Sequence, residues 1–137
     1  LEVVADASVI VKWFIEEQDS DKALILRDRH ISGEITISLP ELAPYEILNA
    51  LKWSRVYDEG ELRQIGVSLN KYGFKTYPLT GELKRETIEI AMRFDATIYD
   101  ASYVALARHL DTTLYTADQG LIRKIRLPSI IPISEFK

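Results

Sequence analysis

Apolar residues fall in short blocks divided by polar punctuation. Residues 1–5 are apolar except for Glu2 and end at Asp6, the mark of a buried strand. Residues 7–16 have helical spacing, and Asp19 or Ser20 caps a second helix to about His30. Residues 35–39 form the next apolar run. Pro40 opens a helix to about Tyr57, stopped by Gly60, and a further helix over 61–72 closes at Gly73. A third strand is expected over 74–79. Thr80 caps a helix to about Arg93, and another runs from near Ile98 to near Leu110. A strand over 113–116, a short helix over 118–125 and a strand over 129–133 complete the chain.

Strands that alternate with helices, and read as continuous apolar runs, imply a parallel sheet covered on both faces. The 137 residues suit one domain, 1–137, without repeat, linker or low-complexity tract. The expected architecture is a three-layer α/β domain. Right-handed crossovers leave the strand orders 2-1-3-4-5 and 3-2-1-4-5. In either, chemistry belongs beyond the carboxyl ends of the strands, where the order reverses.

Composition narrows that chemistry. With no cysteine there is no disulfide, thiol nucleophile or Cys-ligated metal, and two histidines leave little room for a His-rich site. A net charge of −4 argues against a bulk clamp on nucleic acid, though not a local one. No apolar run approaches a membrane span of ~18 residues. No basic stretch followed by an apolar segment is visible at the start, so the expectation is a cytoplasmic protein. One Met and two Asn beside many Arg and Glu suggest a thermophile.

Four acids resist a purely structural reading. Asp6 and Asp118 end the first and fourth strands; each has the alternative role of capping the next helix. In the order 3-2-1-4-5 those strands are neighbours, and both carboxylates face one crevice. On the third helix, Leu42, Glu46, Asn49 and Trp53 share a face that is expected to turn inward. A Glu buried in such a stripe needs a partner. Asp100 stands at the start of a stripe of small residues, with Val104 and Ala107. Converging carboxylates repel one another unless a cation lies among them, and an oxygen-rich cluster suits Mg²⁺ or Mn²⁺. No Ser–His–acid arrangement competes.

Val4-Ala5-Asp6-Ala7-Ser8, the segment from Glu46 to Leu51, the segment from Tyr99 to Ala107 and Leu114-Tyr115-Thr116-Ala117-Asp118 occur in an order and spacing that resembles the PIN-domain nucleases. Within them, the chain resembles the VapC-type toxins of prokaryotic toxin–antitoxin pairs. The resemblance implies a five-stranded parallel sheet of order 3-2-1-4-5 and an endoribonuclease dependent on Mg²⁺ or Mn²⁺. It carries over Asp6, Glu46, Asp100 and Asp118 as catalytic, metal-binding acids, and Ser8, Asn49 and Thr116 as polar groups that orient them. The family often has Asp-Thr-Ser where this chain has Asp6-Ala7-Ser8, a change that touches no ligand. Hydrolysis would leave 5′-phosphate and 3′-hydroxyl ends. The resemblance also implies an RNA substrate, a homodimer and a cognate VapB-like antitoxin.

Lys12, Arg123, Lys124 and Arg126 are candidate RNA contacts. Trp13 and Phe14 are read either as groove or dimer residues or as core, and Tyr99 and Tyr103 as core rather than base-stacking. Two other readings compete. A receiver-like phosphoacceptor domain also gathers acids at strand ends, but the third strand ends Tyr77-Pro78-Leu79-Thr80, without the Asp it needs. A catalytically silent PIN-like module would bind RNA or protein only.

Overall fold

Val3, Val4 and Ala5 point alternately to the two sides of the first strand, and all three are buried. Both faces of the sheet are therefore covered, which dictates layers of helix on either side. In the computed structural model, which describes residues 1–137, the strands are β1 (Glu2–Ala5), β2 (Thr36–Pro40), β3 (Lys75–Tyr77), β4 (Leu114–Thr116) and β5 (Ile130–Pro132). They form one parallel sheet of order β3-β2-β1-β4-β5. Of the two orders left open by the sequence, the structure takes 3-2-1-4-5. Its reversal point lies between β1 and β4.

The helices are α1 (Ala7–Ile10), α2 (Ser20–Ile31), α3 (Ala43–Trp53), α4 (Glu59–Lys71), α5 (Gly81–Phe94), α6 (Ile98–His109) and α7 (Gln119–Lys124). None is long and apolar enough to cross a membrane. The centre of the fold is α6, buried at every position from Ala101 to Ala107. Its three alanines let it approach β1, β2 and β4 closely while α5 packs behind it.

Three elements differ from the sequence reading. The first helix was expected over 7–16, but α1 passes into a single 3₁₀ turn, Val11–Trp13. Side-chain hydroxyls end it: Tyr57 donates to the Phe14 carbonyl and Ser20 to the Ile15 carbonyl, at 3.1 Å for the latter. The third helix begins after Pro40, which completes β2 opposite Tyr77. It stops at Trp53, where Ser54 Oγ donates to the Leu51 carbonyl (2.6 Å) and Arg55 turns left-handed at φ 64°. Gly60 is not a stop; it lies inside α4, whose start is a capping box between Asp58 and Glu61.

The rotation of α3 is also corrected. The face turned inward is Ala43, Ile47 and Leu51, not the stripe ending at Trp53. Asn49 and Trp53 are exposed, and Glu46 is half-buried at the margin.

Candidate active site

β1 and β4 lie side by side, with Ala5 opposite Tyr115 and the Asp6 amide donating to the Tyr115 carbonyl. Asp6 therefore emerges beside Thr116 and Asp118. Helices α3 and α6 begin at this same edge of the sheet and bring Glu46 and Asp100.

The Asp6 carboxylate makes no capping hydrogen bond. Instead it is buried and accepts from Ser8 Oγ on one oxygen and from Thr116 Oγ1 on the other. Each hydroxyl is oriented by a backbone amide: Ala117 N–H donates to Ser8 Oγ (2.9 Å) and Asp118 N–H to Thr116 Oγ1 (3.0 Å). With its single proton committed to Asp6 and one lone pair to an amide, each hydroxyl is held in one orientation. Asp118 does cap α7, accepting from the Leu121 amide at 3.1 Å through Oδ1. Asp100 caps nothing; Thr97 holds that position in α6.

The four acids form no ion pair. Burial pushes the Asp6 carboxyl up to about 6, with the charge of Asp118 adding to it and the Ser8 and Thr116 hydroxyls working the other way. Glu46 is raised by burial first and then by Asp100, and Asp100 by burial and then by Asp118. Each acid thus feels another, in a chain linking all four. As the side chains stand, no three acids form a chelating group. The donors are all carboxylate oxygen, crowded and in no ion pair, with the charge of Lys124 reaching Asp100, and such a set fits a hard divalent cation.

Tyr103 is the neighbour that sequence reasoning placed only in the core. It is buried there, and its hydroxyl lies close to Glu46 without a hydrogen bond of normal geometry. An orphaned buried hydroxyl costs about 1–3 kcal/mol. Tyr103→Phe is therefore expected to stabilise the protein by about 1 kcal/mol, read by urea unfolding at pH 7 in EDTA. A loss of stability would show that the hydroxyl is satisfied. Tyr99, also read as core, is instead exposed.

The other candidates divide. Asn49, exposed, lines a cavity of about 400 Å³ beside Ser8 and Glu46, and its Oδ1 accepts from Trp53 Nε1 (3.1 Å). Lys12 reaches the same cavity but is buried and spent on the Gln18 carbonyl (2.6 Å) and Glu17 (3.2 Å). Lys124 is exposed and near enough to Asp100 for its charge to be felt. Arg123 and Arg126 line a separate cavity against Leu127 and Pro128. A more apolar cleft of about 320 Å³ lies beside the acids, lined by Tyr45 and Tyr99, the chain neighbours of Glu46 and Asp100.

The PIN domain family model matches residues 3–127, almost the whole chain. The chain belongs to the PIN-domain family. Within it, a protein named ribonuclease VapC3 from Pyrobaculum aerophilum is 30% identical over 129 residues, covering 90% of this chain and 95% of its own. Ribonuclease VapC1 of Mycobacterium tuberculosis is 31% identical over 135 residues, covering 96% and 97%. A toxin–antitoxin complex from Klebsiella pneumoniae shares the fold at TM-score 0.68, with 13% identity and 96% and 97% of the chains covered. In this PIN domain two acids stand on helices, and no Asp ends β3. The phosphoacceptor reading has neither its strand order nor its acceptor.

Proposed function

We propose that this protein is an endoribonuclease dependent on Mg²⁺ or Mn²⁺ and the toxin of a toxin–antitoxin pair. One observation supports it above the rest. Four carboxylates that form no ion pair feel one another's charge beside the point where the strand order reverses, in a chain 30–31% identical to proteins named ribonuclease VapC. The antitoxin partner is inferred from those names and from the fold shared with the Klebsiella complex. A homodimer and a cytoplasmic setting belong to the same reading.

Asp6, Glu46, Asp100 and Asp118 would hold the cation. When bound, it offsets charge on the phosphodiester and acidifies the attacking water. The chain's own contribution is positional. Ser8 and Thr116 fix both oxygens of Asp6 before any substrate arrives, and the Leu121 amide fixes one oxygen of Asp118. Lys124, exposed and near enough to Asp100 for its charge to be felt, would contact a phosphate oxygen. Attack on phosphorus breaks the bond to the 3′ oxygen and leaves 5′-phosphate and 3′-hydroxyl ends.

The test is cleavage of a mixed RNA pool with Mg²⁺, with Mn²⁺ and with EDTA. Cleavage in either ion and none in EDTA is expected, together with RNA affinity that rises when the ion is added. Failure of the wild type on every RNA would leave a silent binding module.

A further inference from the structure

Helix α3 carries Glu46 and, seven residues on, Trp53. Seven residues advance about 10 Å along the axis and return to nearly the same side of the helix. Trp53 is 57% exposed, whereas the other tryptophan, Trp13, is 8% exposed. The exposed indole is held in place, since its Nε1 donates to Asn49 Oδ1 at 3.1 Å. Two cations lie against its ring: Lys52 Nζ at 3.8 Å from the centroid and the Arg55 guanidinium carbon at 5.0 Å. Neither is paired with a carboxylate. Asn49 also lines the 400 Å³ cavity beside Ser8 and Glu46, so the residue that holds the indole faces the same cavity as one of the four acids.

Basic residues at a helix C-terminus are ordinary, because they suit its dipole. An exposed tryptophan clamped by an amide between two free cations is not explained that way. The combination matches a nucleotide: an aromatic face for the base and positive charge for the phosphates on either side. Stacking requires a base out of its helix, which selects single strands. An apolar protein segment would cover the ring but leave both cations unanswered.

We propose that Trp53, oriented by Asn49 and flanked by Lys52 and Arg55, is a base-stacking subsite for single-stranded RNA, a few nucleotides from the scissile phosphate. The proposal rests on the ribonuclease reading and deepens it.

Binding is read in an Asp6→Asn background, so that RNA stays intact, with Mg²⁺ present and Trp13→Phe added to leave one emitting indole. An eight-nucleotide oligoadenylate should quench Trp53 emission, and the same strand paired with oligouridylate should not. Trp53→Ala should weaken binding about tenfold. In the otherwise wild-type protein, Trp53→Ala should raise KM for single-stranded RNA while leaving kcat and the thermal midpoint in place. Replacing Lys52 and Arg55 with glutamine should flatten the salt dependence of binding. Absence of quenching with unchanged KM, while the wild type still cleaves RNA, overturns the subsite and spares the ribonuclease reading. Absence of all cleavage, with quenching retained, overturns that reading and leaves an RNA-binding surface. Trp53→Ala that leaves KM unchanged but releases a co-expressed antitoxin assigns the surface to protein and overturns the proposal.

Discussion

Asp6→Asn should lower RNA cleavage by about 10³-fold and, in EDTA at neutral pH, make the protein more stable. The two effects have one cause. Asp6 is buried, and burial with the nearby Asp118 charge lifts its carboxyl from 3.8 to about 6 despite two donated hydroxyl bonds. In the unfolded chain the group ionises near 3.8. Below that pH both states hold the proton, and Asp6 contributes no penalty. Between 3.8 and about 6 the native state keeps a proton that the unfolded chain has released, so stability falls as pH rises. Above about 6 the native carboxylate is charged and the loss is complete, amounting to about 3 kcal/mol. Asparagine has no such charge. Its amide must face one of two hydroxyls that now donate, which offsets part of the gain. Because that offset does not change with pH, the stability difference should move by about 2 kcal/mol in favour of the variant between pH 4 and pH 8. Urea unfolding of both proteins at the two pH values, in EDTA, measures it. A variant less stable at pH 8 would mean that the Ser8 and Thr116 bonds outweigh the burial of charge.

Such a site is legible in sequence to the extent that chemistry and element boundaries coincide. Asp6 and Asp118 end apolar runs, so their place at strand termini followed from pattern alone. That β1 and β4 are neighbours did not, because right-handed crossovers allow two orders. Asp118 also shows that capping and a place in the acidic cluster are not exclusive: its Oδ1 serves the Leu121 amide while the residue remains beside Asp6 and Asp100. The rotation of α3 was misread for a definite reason. Two stripes compete on that helix, and Trp53 lent apparent weight to the wrong one. Ala43, Ile47 and Leu51 form a fully apolar stripe at i, i+4 and i+8, which buries no charge and leaves Glu46 at the margin. Ser8 holds Asp6 from two residues away, but the Thr116 bond to Asp6 and the Ala117 amide that orients Ser8 link residues 110 and 109 apart along the chain, and no periodicity encodes those.

Trp13→Ala should destabilise the protein by about 3–5 kcal/mol. The sequence left this residue open between groove or dimer surface and core. In the structure the indole is buried at the end of the 3₁₀ turn. There it meets Tyr72 edge-on at 5.1 Å and stacks on Phe74 at 5.8 Å, and Phe74 stacks on His30 at 5.3 Å. His30 is fixed in turn. Its Nδ1 accepts from the Ile37 amide (3.0 Å), which leaves Nε2–H to donate to the Tyr72 carbonyl (2.7 Å). The cluster thereby ties the 3₁₀ turn to α2, to the end of α4 and to the entry of β3, an edge strand of only three residues. Trp13→Phe keeps a ring in the cluster and deletes an indole N–H that is buried without a partner. Its cost should stay under about 1.5 kcal/mol. Urea unfolding separates the two variants, and an alanine variant no weaker than phenylalanine would show that the cluster holds nothing. The 3₁₀ turn continues the helix that starts at Asp6 and Ser8. Trp13→Ala should therefore also reduce RNA cleavage at temperatures where the protein remains folded, as the support of Asp6 loosens from its far end.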